Sequence, residues 1–230
     1  MEAAIKPTYI FLTAKPWNDI AFSELEKNPD ANWVRMKSKD EFQLSKIASL
    51  RPDKIFIPHW SYIIPPEIFK EFECIVFHMT DLPYGRGGSP LQNLIVRGHK
   101  KTKISALKVE EDLDAGPIYL KKDLNLDGSA NEIFKRASGI IKEMIEEIIE
   151  DKIKPVPQNG DPVIFKRRVP AESNLKDVSS VTDAYDYIRM LDAEGYPHAF
   201  AETEFLRFEF NDAVISENGE LKANVRIFKK

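Results

Sequence analysis

Short apolar, β-branched runs alternate with stretches of helical spacing through the first half of the chain. Tyr9-Ile10-Phe11-Leu12, Trp33-Val34-Arg35-Met36, Lys54-Ile55-Phe56-Ile57 and Ile75-Val76-Phe77 read as four strands. Residues 19–27 form a helical stretch between the first two. Ser38-Lys39-Asp40-Glu41 has capping-box spacing ahead of a helix reaching about Leu50, and Pro65-Pro66 starts a brief helix through Phe72. Strand, loop and helix in repetition is the trace that a parallel sheet with crossover helices leaves in a sequence.

Beyond the fourth strand the pattern changes. Ile104 to Val109 alternates in and out and pairs with Pro117 to Lys121 across the acidic connection Glu110-Glu111-Asp112-Leu113-Asp114-Ala115-Gly116. Ser129-Ala130-Asn131-Glu132 is a second capping box, followed by Ile133, Phe134, Ala137, Ile140, Ile141, Met144, Ile145 and Ile148 at helical spacing, a stripe that fits packing on a sheet better than ligand binding. Pro155, Pro157, Asn159, Gly160 and Pro162 then read as a linker. A helix from about Thr182 to Leu191 and strand-like runs at 205–210, 213–215 and 225–228 complete the chain. The expected fold is therefore α/β, a Rossmann-like, mostly parallel sheet with crossover helices. A small C-terminal helix and antiparallel β appendage is added to it, with residues 1–160 as the catalytic domain and 161–230 as the appendage.

Composition narrows the classes. At 230 residues and 43% hydrophobic, the chain can bury one sizeable core. A net charge of −4 and a pI near 5.7 predict no nucleic-acid partner. The single cysteine, Cys74, lies in the apolar run Cys74-Ile75-Val76-Phe77 and reads as a buried small hydrophobe. No secretory signal and no apolar run of membrane-spanning length stand out, so a cytoplasmic protein with no membrane partner is expected. No His/Cys/Asp cluster has metal-ligand spacing, and no metal is expected.

In an open parallel sheet, ligands bind beyond the carboxyl ends of the strands, which makes His78, the first polar residue after Phe77, the leading candidate. The segment that follows, Thr80-Asp81-Leu82-Pro83-Tyr84-Gly85-Arg86-Gly87-Gly88-Ser89-Pro90, has three glycines ahead of a helical run and lets backbone amides come close to a ligand. Its spacing matches neither a dinucleotide nor a P-loop fingerprint, and Thr13-Ala14-Lys15-Pro16-Trp17 after the first strand lacks the glycines of a nicotinamide site. Structural readings stand beside these: a satisfied core histidine, and a tight strand-to-helix connection.

A histidine followed by Leu82-Pro83 and Arg86-Gly87, with Leu113-Asp114-Ala115-Gly116 downstream, resembles the folate-dependent formyltransferases over roughly residues 8 to 150. Residues 166–168, 188–191 and 196–200 look like the C-terminal portion of the family's sugar N-formyltransferases. A free-standing methionyl-tRNA enzyme would be expected to run on into a longer C-terminal domain. The resemblance implies transfer of a formyl group from 10-formyltetrahydrofolate, with no metal, to the primary amine of a nucleotide-linked amino-deoxy sugar in surface-glycan biosynthesis. The pterin would lie against the loop Val109, Glu110, Asp112, Leu113 and near Leu82 and Arg86. The family's Asn-x-His is here Val76-Phe77-His78, so its oxyanion-binding amide is absent and another donor, such as a backbone amide between Gly85 and Gly88, is needed.

Acyl transfer to an amine requires that a proton be removed and an oxyanion stabilised. His78 suits either task, with Asp114 orienting and charge-stabilising its imidazole or relaying the proton. Of the remaining candidates, His59 beside Trp60 and Tyr62 stands in packing, the more common use of such a residue, or on the acceptor side, where the loop glycines Gly87 and Gly88 are also placed. Tyr196 stands either in the acceptor pocket or in tail packing. Lys166-Arg167-Arg168 meets a diphosphate or is a solvated basic face. Sheet edges and the tail hairpin leave a homodimer open. Two alternatives also stand: another amine acceptor, such as an aminoacyl group or methionyl-tRNA, and a non-catalytic folate or nucleotide-sugar binding protein.

Overall fold

The computed structural model describes residues 6–230. Strands β1 (Thr8–Leu12), β2 (Asn32–Met36), β3 (Lys54–Pro58) and β4 (Cys74–His78) form where branched and aromatic side chains are densest. Helices α1 (Asp19–Leu25), α2 (Leu44–Leu50) and α3 (Pro66–Phe69) connect them. β1 pairs in parallel with β2 and β3, and β3 in parallel with β4. Interior strands of such a sheet are covered on both faces and carry continuous apolar runs. Accordingly Ile10, Phe11 and Leu12 of β1 and Ile55 and Phe56 of β3 are fully buried.

After β4 come the short strand β5 (Tyr84–Gly87), helix α4 (Pro90–Val96), and strands β6 (Lys101–Lys108) and β7 (Ile118–Asn125). β6 pairs antiparallel with β4, giving the sheet order β2-β1-β3-β4-β6-β7. The expected mostly parallel sheet is present, and of its last two strands, read in sequence as a pair across an acidic loop, β6 lies next to the strand that carries His78 and β7 beyond it.

The start of α2 differs from the sequence reading for an identifiable reason. The box at Ser38 forms: the Glu41 amide donates to Ser38 Oγ at 3.2 Å, and the Glu41 carboxylate accepts from the Lys37 amide at 2.5 Å. It closes a single turn, however, because Gln43 returns to extended backbone before α2 begins at Leu44. The box at Ser129 opens α5 (Ala130–Glu150), a helix long enough to propagate from its cap. Ile133, Phe134, Ala137, Ile141, Met144, Ile145 and Ile148 of its stripe are buried.

The chain divides into two compact units that interleave in sequence. The first comprises Met1–Arg86, Lys103–Leu124 and Lys135–Val163, and the second Gly87–Thr102, Asn125–Phe134 and Ile164–Lys230. Past β8 (Val163–Phe165), the second unit holds α6 (Val181–Arg189), capped by Ser180, and an antiparallel sheet of β9 (Ala199–Glu202), β10 (Leu206–Ile215) and β11 (Leu221–Lys229). The runs at 205–210 and 213–215 belong to one strand, bent where its register shifts between Asn211 and Val214 around Asp212 at φ 54°. Arg189, 3% exposed, is satisfied by Asp186 at 2.6 Å and by the carbonyls of Leu126 and Gly128. A buried guanidinium without such partners would be strongly destabilising.

Candidate active site

His78 ends β4 and is 9% exposed. Its Nε2 lies 2.7 Å from the Gly85 carbonyl, which also accepts from Thr80 Oγ1 at 3.3 Å. A carbonyl only accepts, so Nε2 must carry a hydrogen. That leaves Nδ1 as the ring atom able to take up or release a proton, and Nδ1 faces Asp114 Oδ2 at 3.6 Å, with the Asp114 side chain 12% exposed. The separation is too long for a hydrogen bond but close enough for a direct charge interaction.

Asp114 reaches this position from the β6–β7 connection with its backbone in the left-handed region, φ 53°, a conformation that Asp tolerates better than most residues. Two residues on, a Cβ added to Gly116 would sit 1.9 Å from the Lys108 carbonyl oxygen, so only glycine lets the two limbs of the loop meet. The Leu-Asp-x-Gly pattern therefore has a backbone cause: one residue turns the carboxylate inward and the other closes the loop behind it.

Sequence reasoning placed Gln158 in a linker, and the structure places it between the two loops of the site. Its Nε2 donates to the carbonyls of Asp114 and Gly116, each at 2.8 Å, while its Oε1 accepts from Arg86 Nε at 3.1 Å and Nη2 at 2.8 Å. No periodicity marks a glutamine among prolines, so nothing in the one-dimensional pattern singled it out.

The remaining candidates are placed as follows. Leu82 is buried, and its amide donates to Ser105 Oγ, which donates to the Thr80 carbonyl at 2.7 Å. The Val109 amide donates to the Cys74 carbonyl, extending the sheet toward the acidic loop. Glu110 and Asp112 are exposed, and Leu113 presents 65% of its surface. Val76, at the family's asparagine position, packs against apolar clusters on the sheet and offers no polar atom. Burial, with Glu73 adding, pushes the Cys74 thiol up to about 12, so it is no nucleophile. Among the described residues no group of three His, Cys, Asp or Glu side chains could hold a metal, and no helix is long and apolar enough to cross a membrane.

His59 lies in the first unit with both ring nitrogens engaged. Trp17 Nε1 donates to Nδ1 at 3.2 Å and Met79 Sδ sits 3.1 Å from Nε2. Burial, with Lys15 adding, lowers its pKa to about 3. Gly87, Gly88 and Tyr196 belong to the second unit. The Gly88 amide donates to the Phe165 carbonyl, and a Cβ on Gly87 would lie 2.4 Å from that same oxygen. These two glycines serve close backbone approach within the protein, which removes the Gly88 amide as an oxyanion donor. Asn93 is likewise occupied, donating to the carbonyls of Gly88, Ser89 and Lys166. Tyr196 stacks on Phe134 with ring centroids 5.4 Å apart.

Comparison with known proteins adds a second line of observation. The family model described as formyl transferase matches residues 6–137, and a second, described as the C-terminal domain of methionyl-tRNA formyltransferase, matches residues 170–228. A curated methionyl-tRNA formyltransferase of Bacillus thuringiensis (strain Al Hakam) is 29% identical over 179 residues, 73% of this chain and 56% of that protein. The chain thus spans about half the length of the curated relatives it matches. A solved structure named methionyl-tRNA formyltransferase from Clostridium thermocellum is 47% identical, covers 97% of this chain and 100% of its own, and superposes with a TM-score of 0.95. HypX from Aquifex aeolicus in complex with tetrahydrofolic acid shares the fold at 16% identity and a TM-score of 0.74, over 92% of this chain and 39% of its own.

These findings overturn the expectation of a nucleotide-sugar acceptor. Structures named for sugar N-formyltransferases or a 4-N formyltransferase share the fold at only 13–16% identity, with TM-scores of 0.63–0.67. The tail likened to those enzymes matches the methionyl-tRNA formyltransferase C-terminal domain instead. The expectation of no nucleic-acid partner also conflicts with relatives named for tRNA. It rested on net charge, a sum over the chain that leaves room for local basic segments such as Lys166-Arg167, both exposed.

Proposed function

Because the chain belongs to the formyl transferase family, we propose that it moves a formyl group from 10-formyltetrahydrofolate to the amine of an aminoacyl ester, with methionyl-tRNA as the acceptor. The observation that carries the acceptor is the 47% identity, over nearly the whole chain, to the structure named methionyl-tRNA formyltransferase. The reduced folate supplies the formyl carbon. The residues fit such a donor: the loop from Val109 to Leu113 offers backbone and the exposed Leu113 side chain to a flat heterocycle, with Arg86 on the neighbouring loop.

In this reading His78 and Asp114 are the catalytic residues. The acceptor amine must lose a proton as it forms the new carbon–nitrogen bond, and the folate nitrogen must gain one as the old bond breaks, so the transfer is proton-neutral overall. His78 Nδ1 takes up the amine proton, and the Asp114 carboxylate 3.6 Å away stabilises the resulting imidazolium. The Gly85 carbonyl holds the ring through Nε2–H, so the free nitrogen does not rotate away. With Val76 unable to donate a hydrogen bond, the positive charge created on His78 compensates charge developing on the formyl oxygen.

The test is to incubate the protein with 10-formyltetrahydrofolate and methionyl-tRNA, release the amino acid by mild base, and weigh it. N-formylmethionine in excess over a no-protein control supports the reading. Unmodified methionine, with the folate bound, removes the acceptor assignment and leaves a folate-binding protein whose Val76 marks lost turnover.

A further inference from the structure

The amide of Gln158 is fully engaged, two donations and two acceptances, and its partners fall on the two loops that meet at His78. One half holds the carbonyls of Asp114 and Gly116, the other the Arg86 guanidinium. The contacts close a ring. From Gln158 it runs to the Asp114 backbone, then from the Asp114 carboxylate to His78 Nδ1 at 3.6 Å. It continues from His78 Nε2 to the Gly85 carbonyl at 2.7 Å, through the Gly85–Arg86 peptide bond, and back from Arg86 to Gln158. Each side of His78 is thereby tied to the same amide group.

We propose that Gln158 is a positioning residue for formyl transfer, fixing Asp114 against one ring nitrogen of His78 and Gly85 against the other, and orienting Arg86 for the donor. The proposal rests on the formyl-transfer reading for its consequence, and on the hydrogen bonds alone for the arrangement. Only an amide does this. A carboxylate at 158 would still accept from Arg86 but would face two carbonyl oxygens without a hydrogen to give them, and a thioether of similar shape would do neither. Orientation of this kind typically carries tens-fold to hundredfold effects on rate, because small displacements of a reacting pair are costly.

Two nearly isosteric variants separate the halves. Gln158→Glu should lower kcat by about 10- to 100-fold with the donor KM within about threefold of wild type. Gln158→Met should lower kcat similarly and raise the donor KM as well, because Arg86 loses its acceptor. Thermal melting of each variant gives the folded fraction, so that kcat is expressed per folded molecule. A kcat per folded molecule equal to wild type in either variant, with the loss confined to melting temperature, would overturn the proposal in favour of a mere staple.

A second measurement does not depend on turnover. With four histidines in the chain, the 15N ring signals of His78 are assignable by their disappearance in His78→Asn. In both Gln158 variants the balance between its Nε2–H and Nδ1–H forms should shift as Gly85 and Asp114 loosen. Identical ring signals in wild type and variants would end the proposal even if the enzyme is active. If wild-type protein formylates no acceptor, the functional reading fails while these signals still decide whether Gln158 holds the site.

Discussion

His59 and His78 leave adjacent parallel strands at the same level, since Pro58 of β3 is in register with Phe77 of β4. From sequence they are near equivalents, two histidines at the carboxyl ends of neighbouring strands, and the structure gives them opposite chemistry. His59 receives a hydrogen bond from Trp17, whose indole can only donate, so its Nδ1 is held unprotonated; burial and Lys15 then keep the ring neutral to about pH 3. His78 has the reverse arrangement, a carbonyl that fixes Nε2–H and a carboxylate facing Nδ1 at 3.6 Å. Both rings lie at the carboxyl ends of parallel strands, the edge of such a sheet at which ligands generally bind. The partner type decides which of them can take part in chemistry there.

The largest effect should come from removing the ring that can change its protonation. His78→Ala is expected to fold and to lose about 10³-fold in kcat/KM for formyl transfer, within the range typical of a general base. His99→Ala, assayed alongside, should stay within twofold, because His99 follows α4 in the second unit and the His78–Asp114 pair belongs to the first. Equal losses in the two variants would erase the distinction between the histidines.

Asp114→Asn sharpens the same contrast by removing a charge and little else. Asparagine has the same shape and accepts the left-handed backbone at φ 53° at least as readily, and the carbonyl that Gln158 holds is unchanged. A fall of about 10²-fold in kcat with the melting temperature kept within a few degrees is expected. Retention of wild-type kcat would show that Asp114 shapes the loop without supplying charge to His78.

These differences mark how far sequence carries the argument. Alternating apolar runs made the central sheet legible because burial on both faces leaves an uninterrupted signal at Ile10-Phe11-Leu12 and Ile55-Phe56-Ile57. His78 is legible as a candidate because it ends a strand ahead of a glycine-rich segment, and Asp114 because Leu113-Asp114-Ala115-Gly116 in an acidic loop resembles the family's pattern. Gln158 was not, since its role depends on two carbonyls more than forty residues away in sequence. Nor could the glycines declare their use: Gly88 read as a ligand-facing amide, yet its hydrogen goes to Phe165, a pairing made only by tertiary structure. The acceptor was misread for a related reason. The sugar reading rests on short matches in the C-terminal segment, on the expectation of a longer domain in a tRNA enzyme and on net charge, and none of these describes which surface meets the substrate.

The smallest effect on rate, and a distinct one on stability, is expected at His59. Asparagine there tolerates the left-handed backbone at φ 53°, so His59→Asn should leave kcat within about threefold of wild type. Stability is where the residue should register. A base whose folded pKa lies near 3, against about 6.5 unfolded, takes up a proton when the chain unfolds, so its contribution is intact above pH 6.5 and is lost as pH falls toward 3. Between pH 7 and pH 5 this one group should cost wild type up to about 2 kcal/mol, a loss that His59→Asn should not show. Urea unfolding of both proteins at the two pH values measures the difference directly. Parallel pH dependence in wild type and variant would mean that His59 titrates near its unfolded value, and the contrast between the two histidines would then rest on Asp114 alone.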